Sequence, residues 1–252
     1  MLPEERKQQI LSTLQREHKV HVGALSERFR VTEETIRRDL EKLEREGWLK
    51  RTYGGAVLRR EGDSALPYWA RETLYVDHKR RIAQSASALV EDGMTIMIDA
   101  GTTTFELMGA LRSRRNVTVV TNSARITAGV ESDATLLCCG GELLGKSLAF
   151  VGPIAESCLA RFHADIAFIG AMALDAERGL MEANIGEAEI KRVMKRHAEC
   201  TVLLADASKF DGRAPVQVGP LSMVDVLVSD RLPNEEWRAR LETAGTQLRL
   251  VD

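Results

Sequence analysis

The sequence predicts an α/β protein of two domains, a small helical domain followed by a larger domain built on a mostly parallel sheet. Three helical patterns follow one another closely before Gly47. Apolar runs of strand length then recur between residues 94 and 228, with helical stretches between most of them. Strands separated by helices are typical of a parallel sheet covered on both faces. We therefore expect domains at 1–58 and 79–252, joined by a polar linker at 59–78.

The first domain is predicted to contain three short helices. The first begins near Pro3, because proline is tolerated in a first turn. The second places Leu25 and Phe29 one turn apart, on its buried face. The third opens at Thr32, which suits the N-cap position, and Gly47 supplies the stop. Only two residues separate the second and third helices, which is the helix-turn-helix arrangement that presents the later helix to the major groove of DNA.

The third helix carries polar side chains that are not needed for packing and are available to contact DNA. Its apolar stripe faces inward, so Thr35, Arg37 and Arg38 cannot all be buried. Arg37 and Arg38 lie about 100° apart around the helix, so one can reach a base edge while the other contacts phosphate. Glu33 and Glu34 fall in the first turn, where the helix dipole favours negative charge. We interpret these two glutamates as dipole partners rather than base readers.

A short β-hairpin with a glycine turn is predicted at 48–56, as a wing that carries Lys50 and Arg51 toward the DNA backbone. Residues 1–60 contain 14 Lys/Arg and 10 Asp/Glu, or +4, and the remainder contains 21 and 27, or −6. This asymmetry suits phosphate attraction by one end of the chain. A three-helix bundle with solvated arginines is the alternative that the helix spacing alone leaves open.

The larger domain is predicted to be Rossmann-like. Its expected strands are 94–98, 117–120, 135–138, 166–169, 201–205 and 224–228, with 247–251 at an edge and a helix at 72–90 before them. Small or polar clusters follow five of these strands, beginning at Asp99, Thr121, Gly140, Gly170 and Asp206. Open α/β sheets bind ligands beyond the carboxyl ends of their strands. Five clusters at that edge indicate a pocket.

The most informative cluster is Gly101-Thr102-Thr103-Thr104, where a sharp turn leads into a helix that opens with three hydroxyl residues. Free backbone N–H groups, hydroxyls and the helix dipole together suit a phosphate. The cluster is neither a Walker loop nor a dinucleotide turn, so no nucleotide cofactor is expected. Threonines that serve only as cap and turn residues are the alternative. Lys209 is either a second cation for the same ligand or a surface lysine.

The remaining chemistry-bearing residues indicate neither a metal site nor a secreted or membrane protein. The four cysteines form no C-x-x-C pair and lie at no metal-ligand spacing from a histidine, so we expect buried thiols. The charged start lacks a following apolar stretch, and no run reaches the length of a membrane span. A cytoplasmic protein is therefore expected.

Detailed motifs in the first domain resemble the DeoR family of sugar-responsive bacterial repressors. They are the run from Val31 to Leu40, with its Thr-Ile-Arg-Arg-Asp-Leu segment, and the run Arg51-Thr-Tyr-Gly-Gly-Ala56. The resemblance implies that residues 1–58 bind double-stranded operator DNA. The DNA contacts we expect are Ser26, Thr32, Thr35, Arg37, Arg38, Lys50, Arg51, Gly54 and Gly55.

The larger domain resembles the effector domain of the same family from about Lys79 to Asp230. That domain is similar to the sugar-phosphate isomerase fold, so the resemblance implies a phosphorylated sugar or related metabolite as effector. The effector contacts we expect are Asp99, Gly101, Thr102, Thr103, Thr104, Asn122, Gly141, Lys191 and Lys209. We also expect a homo-oligomer, dimer or tetramer, because one small helix-turn-helix rarely supplies enough specificity.

Sugar-phosphate isomerisation is the rival function. It needs a carboxylate to move a proton and a second polar group to stabilise the enediolate. Ribose-phosphate isomerases carry Asp-Gly-Ala-Asp after the central strand, and Ile169-Gly-Ala-Met172 takes that place here. Glu182, Glu187 and Glu189 remain, but they suit a solvated helix end or an ion pair with Lys191. A sensor that is not an enzyme is therefore favoured. A purely structural DNA binder is disfavoured, because it has no need for a pocket.

Overall fold

The computed structural model describes residues 2–17, 19–45, 47–58, 66–128 and 134–251. The chain divides into two compact units, Met1–Leu74 and Tyr75–Asp252. Each unit has its own buried apolar residues.

The smaller unit combines helices with a three-stranded antiparallel sheet. Its elements are α1 (Pro3–Glu17), β1 (Lys19–His21), α2 (Val22–Phe29), α3 (Glu33–Arg45), β2 (Leu49–Thr52), β3 (Gly55–Leu58) and α4 (Tyr68–Thr73). β3 is the central strand and pairs with both β1 and β2. The tight α2–α3 connection and the β2–β3 hairpin confirm the predicted winged helix-turn-helix.

Helix α3 is fixed in this unit by apolar packing and by one ion pair. Ile36, Leu40 and Leu43 recur on one face and are at most 1% exposed. On the neighbouring face, Arg6 of α1 binds the Asp39 carboxylate through Nε at 2.5 Å and Nη2 at 3.2 Å. Two parallel hydrogen bonds from one guanidinium define direction as well as distance. The exposed face of α3 is therefore held in a fixed orientation.

Part of the expected linker at 59–78 is helical. Tyr68 of α4 is buried, and the Trp69 ring stands edge-on to Trp48 with ring centroids 4.4 Å apart. The helix predicted at 72–90 is divided, because Tyr75 adopts a left-handed backbone with φ 53° before α5 (Val76–Ser87) begins. Residues 59–65 lie outside the described residues. The apolar residues of 66–74, among them Leu66, Tyr68 and Leu74, are buried and give this part of the expected linker a structure of its own.

The larger unit alternates strands and helices along the chain. After α5 its elements are β4 (Thr95–Ile98), α6 (Thr102–Ala110), β5 (Thr118–Thr121), α7 (Ala124–Thr127), β6 (Thr135–Cys138), β7 (Glu142–Leu144), β8 (Ala149–Val151), α8 (Gly152–Leu159), β9 (Ala164–Ile169), β10 (Ala173–Asp175), β11 (Gly179–Glu182), α9 (Ile185–Arg196), β12 (Ala198–Leu204), β13 (Val216–Gly219), β14 (Val226–Ser229), α10 (Glu235–Ala244) and β15 (Gln247–Leu250).

Seven parallel strands form the central sheet, in the order β15-β14-β12-β9-β4-β5-β6. Its two faces carry separate apolar clusters. In β4, Met97 belongs to one cluster while Ile96 and Ile98 belong to the other, because successive side chains of a strand point to opposite faces. The predicted Rossmann-like sheet is confirmed, with β15 at an edge.

Five further strands of the larger unit were not predicted. β7 and β8 form an antiparallel pair, and β10, β11 and β13 form a separate small sheet. Each is three or four residues long. Unlike the equally short strands of the central sheet, none lies in the regular alternation of apolar runs and helical stretches on which the prediction depended. The β7–β8 pair follows directly on β6 and therefore lies close to the carboxyl edge of the central sheet.

Candidate functional site

The exposed start of α3 is organised by its cap. The Thr35 backbone N–H donates to Thr32 Oγ1 at 3.3 Å, and the two threonine hydroxyl oxygens lie 2.9 Å apart. Thr32 thus makes the predicted N-cap contact, and it holds the half-buried Thr35 side chain at the beginning of the helix.

Arg37 and Arg38 project from α3, and each is paired with a glutamate one turn earlier. Arg37 Nη2 lies 2.5 Å from Glu33 Oε2, and Arg38 Nε lies 3.3 Å from Glu34 Oε1. The two arginine side chains are 54% and 77% exposed. Exposed i,i+4 pairs contribute only about 0.3–0.5 kcal/mol each, so an incoming phosphate or base edge can compete for these arginines. The glutamates interpreted as dipole partners are therefore also ion-pair partners of the predicted readers.

The wing formed by β2 and β3 depends on two glycines. Gly54 adopts φ +87° in the turn. A Cβ added to Gly55 would lie 2.0 Å from the carbonyl oxygen of Val20 in β1. The first position needs a left-handed backbone and the second needs a close approach of two strands. Both glycines therefore serve the shape of the wing.

The polar side chains around the wing have different surroundings. Lys50 and Arg51 are exposed, and Arg51 Nε lies 2.9 Å from Glu44 Oε2. Tyr53 at the tip is fully exposed and was not predicted as a contact. Its position beside the two glycines of the predicted turn could have identified Tyr53 as an exposed aromatic residue of the wing. Ser26 on α2 is half-buried, and its hydroxyl donates to a carbonyl of its own helix at 2.9 Å.

A second candidate site lies at the carboxyl edge of the central sheet. Ile98 of β4 is in register with Thr121 of β5, so the next residues, Asp99 and Asn122, lie on adjacent strands. On the other side of β4, the end of β9 brings Gly170 to the same place. The sheet thus assembles polar groups from three of the predicted clusters.

Asp99 is the centre of this edge, with both carboxylate oxygens occupied. Oδ1 accepts the Gly101 N–H at 3.0 Å and the Thr104 hydroxyl at 2.7 Å, and Oδ2 accepts the Gly170 N–H at 2.8 Å and the Lys191 ammonium. Burial alone would raise the pKa of Asp99, but Lys191 and these hydrogen bonds hold it below its usual value. Asp99 therefore holds the surrounding residues of the site in position through hydrogen bonds and an ion pair.

Lys191 of α9 is a buried cation between two carboxylates. Its Nζ contacts Asp99 and lies 3.3 Å from Glu182 Oε2. Burial alone would lower the pKa of Lys191, but the two carboxylates raise it above its ordinary value. The ammonium stays charged and is compensated inside the protein. Asp99 and Lys191, both predicted as ligand contacts, are thus partners of each other.

The start of α6 retains the features of an anion cradle. Thr102 and Thr103 are buried in its first turn. The N-cap is Gly101, and no described side chain caps the helix. A Cβ on Gly101 would lie 2.7 Å from Thr104 Oγ1, so the glycine is required by this close turn. The Thr104 hydroxyl donates to Asp99. Thr102 and Thr103 are therefore the two hydroxyl residues of this turn that are candidates for binding an anion.

Asn122 offers a hydrogen-bond acceptor beside this cradle. Its Nδ2 donates to the Phe150 carbonyl of β8 at 3.0 Å, while its buried Oδ1 has no hydrogen-bond partner within the described ranges. Gly141 precedes β7 with φ +113°, and a Cβ there would lie 2.8 Å from the Val151 carbonyl oxygen. Both predicted residues therefore lie against the β7–β8 pair.

Lys209 is not a surface lysine, because it is only 7% exposed. It follows Asp206, whose Oδ1 accepts the Ser208 N–H at 2.9 Å. Burial alone would raise the pKa of Asp206, but the charges of Lys209 and Lys79, among other contacts, lower it. Lys79 on α5 is 2% exposed and was missed. Its local sequence has no signal, since a lysine on an amphipathic helix ordinarily faces water.

The three carboxylates considered for proton transfer each have a structural partner. Glu182 pairs with Lys191, Glu187 Oε1 accepts the Asn184 side-chain N–H at 2.6 Å, and Glu189 pairs with Arg192. At the end of β9, Ile169 and Met172 are buried and apolar. Across the described part of the chain, no group of three His, Cys, Asp or Glu residues is placed to hold a metal ion.

The cysteines differ in their exposure to solvent. Cys139 is buried, Cys138 is exposed, and Cys158 and Cys200 are half-buried, so the expectation of buried thiols holds fully only for Cys139. Burial raises the pKa of the Cys139 thiol to about 12. In the ranges that the structure describes, no helix has the length and apolarity to cross a membrane.

Comparison with known proteins gives matches along most of the chain. A DeoR-like helix-turn-helix domain matches residues 6–61, and a DeoR C terminal sensor domain matches residues 75–231. The HTH-type transcriptional regulator YulB of Bacillus subtilis is 37% identical, over 91% of this chain and 90% of the relative. The HTH-type transcriptional regulator GlpR of Haloferax volcanii is 36% identical, over 97% and 96%. Among solved structures, ribose 5-phosphate isomerase A from Methanocaldococcus jannaschii matches 54% of each chain with 22% identity and a TM-score of 0.41.

Proposed function

The chain belongs to the DeoR family of DNA-binding transcriptional regulators, and from that premise we propose that it represses carbohydrate-metabolism genes under the control of a phosphorylated sugar. The observation that carries the proposal is the start of α6, a helix end with no capping side chain at the carboxyl edge of the sheet. Two relatives add support by name. The glycerol-3-phosphate regulon repressor of Escherichia coli (strain K12) is 30% identical over 89% of each chain, and a putative aga operon transcriptional repressor of Escherichia coli O157:H7 is 33% identical.

For operator binding, α3 enters the major groove and the wing follows the backbone. Arg37 and Arg38 are exposed on α3 and supply the base and phosphate contacts. Thr35 reads from the first turn, beside its cap. The supporting contacts to the deoxyribose and phosphate groups of the DNA backbone come from Ser26, Thr32, Lys50, Arg51, Gly54 and Gly55.

For effector binding, the phosphate sits on the first turn of α6, where the Thr102 and Thr103 backbone N–H groups and hydroxyls meet the positive end of the helix dipole. Asn122 Oδ1 accepts a sugar hydroxyl, which would satisfy a buried acceptor. Lys209 adds positive charge to the effector site. Gly141, which has no Cβ, lets its backbone approach the effector closely. The residues that hold this cradle in shape are Asp99, Gly101, Thr104 and Lys191.

The two sites are coupled through an assembly of at least two chains. Operator half-sites are read by paired recognition helices at a fixed spacing. An effector that binds one arrangement better than the other shifts the population toward it and changes operator affinity. We propose release of the operator on effector binding, from a dimer or a tetramer.

The test is fluorescence anisotropy with the full chain and duplexes from its own upstream DNA, titrated against phosphorylated sugars and their unphosphorylated counterparts. One phosphorylated sugar should weaken operator binding about 10-fold or more. Thr103→Asp should bind the operator normally and ignore that sugar, because a carboxylate repels phosphate. Thr243→Asp, on the exposed face of α10, introduces the same charge and should still respond.

Three outcomes contradict the proposal. If no phosphorylated sugar changes operator affinity, or if the unphosphorylated sugar acts equally well, a phosphate-controlled switch is wrong. If Thr103→Asp responds with unchanged dose dependence, the cradle lies elsewhere.

A further inference from the structure

The arginines of the proposed DNA-binding face carry their own counter-ions. Four arginines of α3 and the wing are paired with glutamates of the same unit, three at i,i+4 spacing on α3 and one between the wing and α3. Three of the four, all but Arg45, are proposed DNA contacts. The pairs are Arg37–Glu33 at 2.5 Å, Arg38–Glu34 at 3.3 Å, Arg45–Glu41 at 2.6 Å and Arg51–Glu44 at 2.9 Å. Much of the positive charge that would meet DNA is therefore compensated before DNA arrives.

The pair at Arg38 uses a particular part of the guanidinium. Glu34 Oε1 accepts from Nε, which is the nitrogen nearest the side-chain stem. A guanine edge is read by two parallel N–H groups of one guanidinium, accepted by O6 and N7. The two terminal nitrogens of Arg38 can make that fork while Nε keeps its contact with Glu34. Glu34 can therefore remain bound to Arg38 when a base is read, and it directs the fork outward.

We propose that Glu33 and Glu34 set the sequence selectivity of this regulator. Glu33 acts as the counter-ion of Arg37, and Glu34 acts as both the counter-ion and the positioning residue of Arg38. The inference rests on the proposed placement of α3 in the major groove. Binding to random DNA comes almost entirely from charge, so the two carboxylates weaken it whether they stay paired with the arginines or are displaced by phosphate and remain nearby. Operator binding adds hydrogen bonds to base edges, which the Glu34 contact supports. The glutamates therefore weaken non-specific binding more than operator binding.

The test replaces both glutamates with glutamine in the full chain, as Glu33→Gln with Glu34→Gln. Dissociation constants are measured by anisotropy on the operator and on a scrambled duplex of equal length and composition, at several salt concentrations. The variant should bind the scrambled duplex about 10-fold more tightly, with a salt dependence steeper by up to about two counter-ions. Its operator affinity should rise less than about 3-fold, because the neutral glutamine oxygen accepts from Arg38 more weakly than a carboxylate does, and the poorer positioning of the fork offsets most of the gain in charge.

Two further variants separate charge from position. Glu235→Gln with Glu236→Gln makes the same change of net charge in the first turn of α10, where the carboxylates pair with Arg238 at 3.1 Å and Arg240 at 2.6 Å. This control should leave both affinities unchanged. Glu34→Ala removes the acceptor oxygen as well as the charge. It should tighten scrambled-duplex binding but weaken operator binding.

Several results would overturn the proposal. They are an equal gain on both duplexes, unchanged binding to the scrambled duplex, and a loss of operator affinity in the double glutamine variant, which would indicate that a carboxylate contacts a base directly. The placement of α3 is tested separately by Arg37→Ala with Arg38→Ala. If operator affinity survives that change, the recognition-helix assignment fails whatever the glutamine variants show.

Discussion

Replacing Lys191 with methionine removes the cation at the centre of the carboxyl edge while keeping a side chain of similar length. The side chains of Lys191, Asp99 and Glu182 are 6%, 1% and 6% exposed. The substitution therefore leaves two carboxylates almost excluded from water without their counter-charge. Removing one partner of a buried ion pair costs about 3–5 kcal/mol. We expect a decrease of that size in the free energy of unfolding of the larger unit.

The pH dependence contributed by Asp99 should change sign in the same variant. In the native protein the pKa of Asp99 lies below its usual value, so its contribution to stability is present at neutral pH and is lost as the pH falls through that lowered pKa. Without Lys191, burial acts with much less opposition and raises the pKa of this carboxyl. Acidification from about pH 7 to about pH 5 should then recover part of the lost stability.

Urea unfolding followed by Trp237 fluorescence measures both effects. Trp237 is 2% exposed and lies in the larger unit, so a Trp48→Phe, Trp69→Phe background confines the signal to that unit. Lys195→Met is the matched control on the same helix, because Lys195 pairs with Asp225 at 2.9 Å near the surface and its loss costs about 0–1 kcal/mol. If the Lys191 variant loses no more stability than this control, or gains nothing on acidification, the buried network does not stabilise the fold as described.

Two other substitutions test the smaller unit. Arg37→Ala with Arg38→Ala should weaken operator binding by about 10-fold or more for each base that is no longer read, while the unfolding midpoint stays unchanged because both side chains are exposed; intact operator binding in anisotropy would contradict this. Gly55→Ala should destabilise the smaller unit by about 1–3 kcal/mol, since its Cβ would lie 2.0 Å from a β1 carbonyl oxygen. Thermal unfolding followed by Trp48 fluorescence measures the destabilisation. Gly109→Ala in α6 of the larger unit, with no atom within 4 Å of its added Cβ, should be neutral or stabilising when unfolding of that unit is followed by Trp237 fluorescence.

The five inner strands of the central sheet were predictable because each contains a run of residues buried on both faces. The edge strands β6 and β15 are more exposed, and only their apolar residues and β-like composition indicated them. All seven predicted runs form strands of one sheet. Their boundaries differ where the burial changes along a strand. β12 begins at Ala198, three residues before the predicted start, because its first residues are only partly buried and include Glu199. The predicted strand at 224–228 begins at Val226, because Leu221–Met223 forms a turn of 3-10 helix just before it.

Sequence alone was enough to predict the helix-turn-helix, the apolar stripe of α3 and the edge of the sheet where polar residues collect. Those features depend on residues within a turn of one another or on the order of elements along the chain, and both are written in the sequence. Which polar groups contact one another could be known only from the folded chain. Asp99 and Lys191 are 92 positions apart, and Lys79 is buried beside Asp206 by the folding of α5 onto the sheet. No local pattern predicts such pairings, because they form when segments distant in the sequence pack together. A charge that becomes buried there is stabilised only by pairing with an opposite charge.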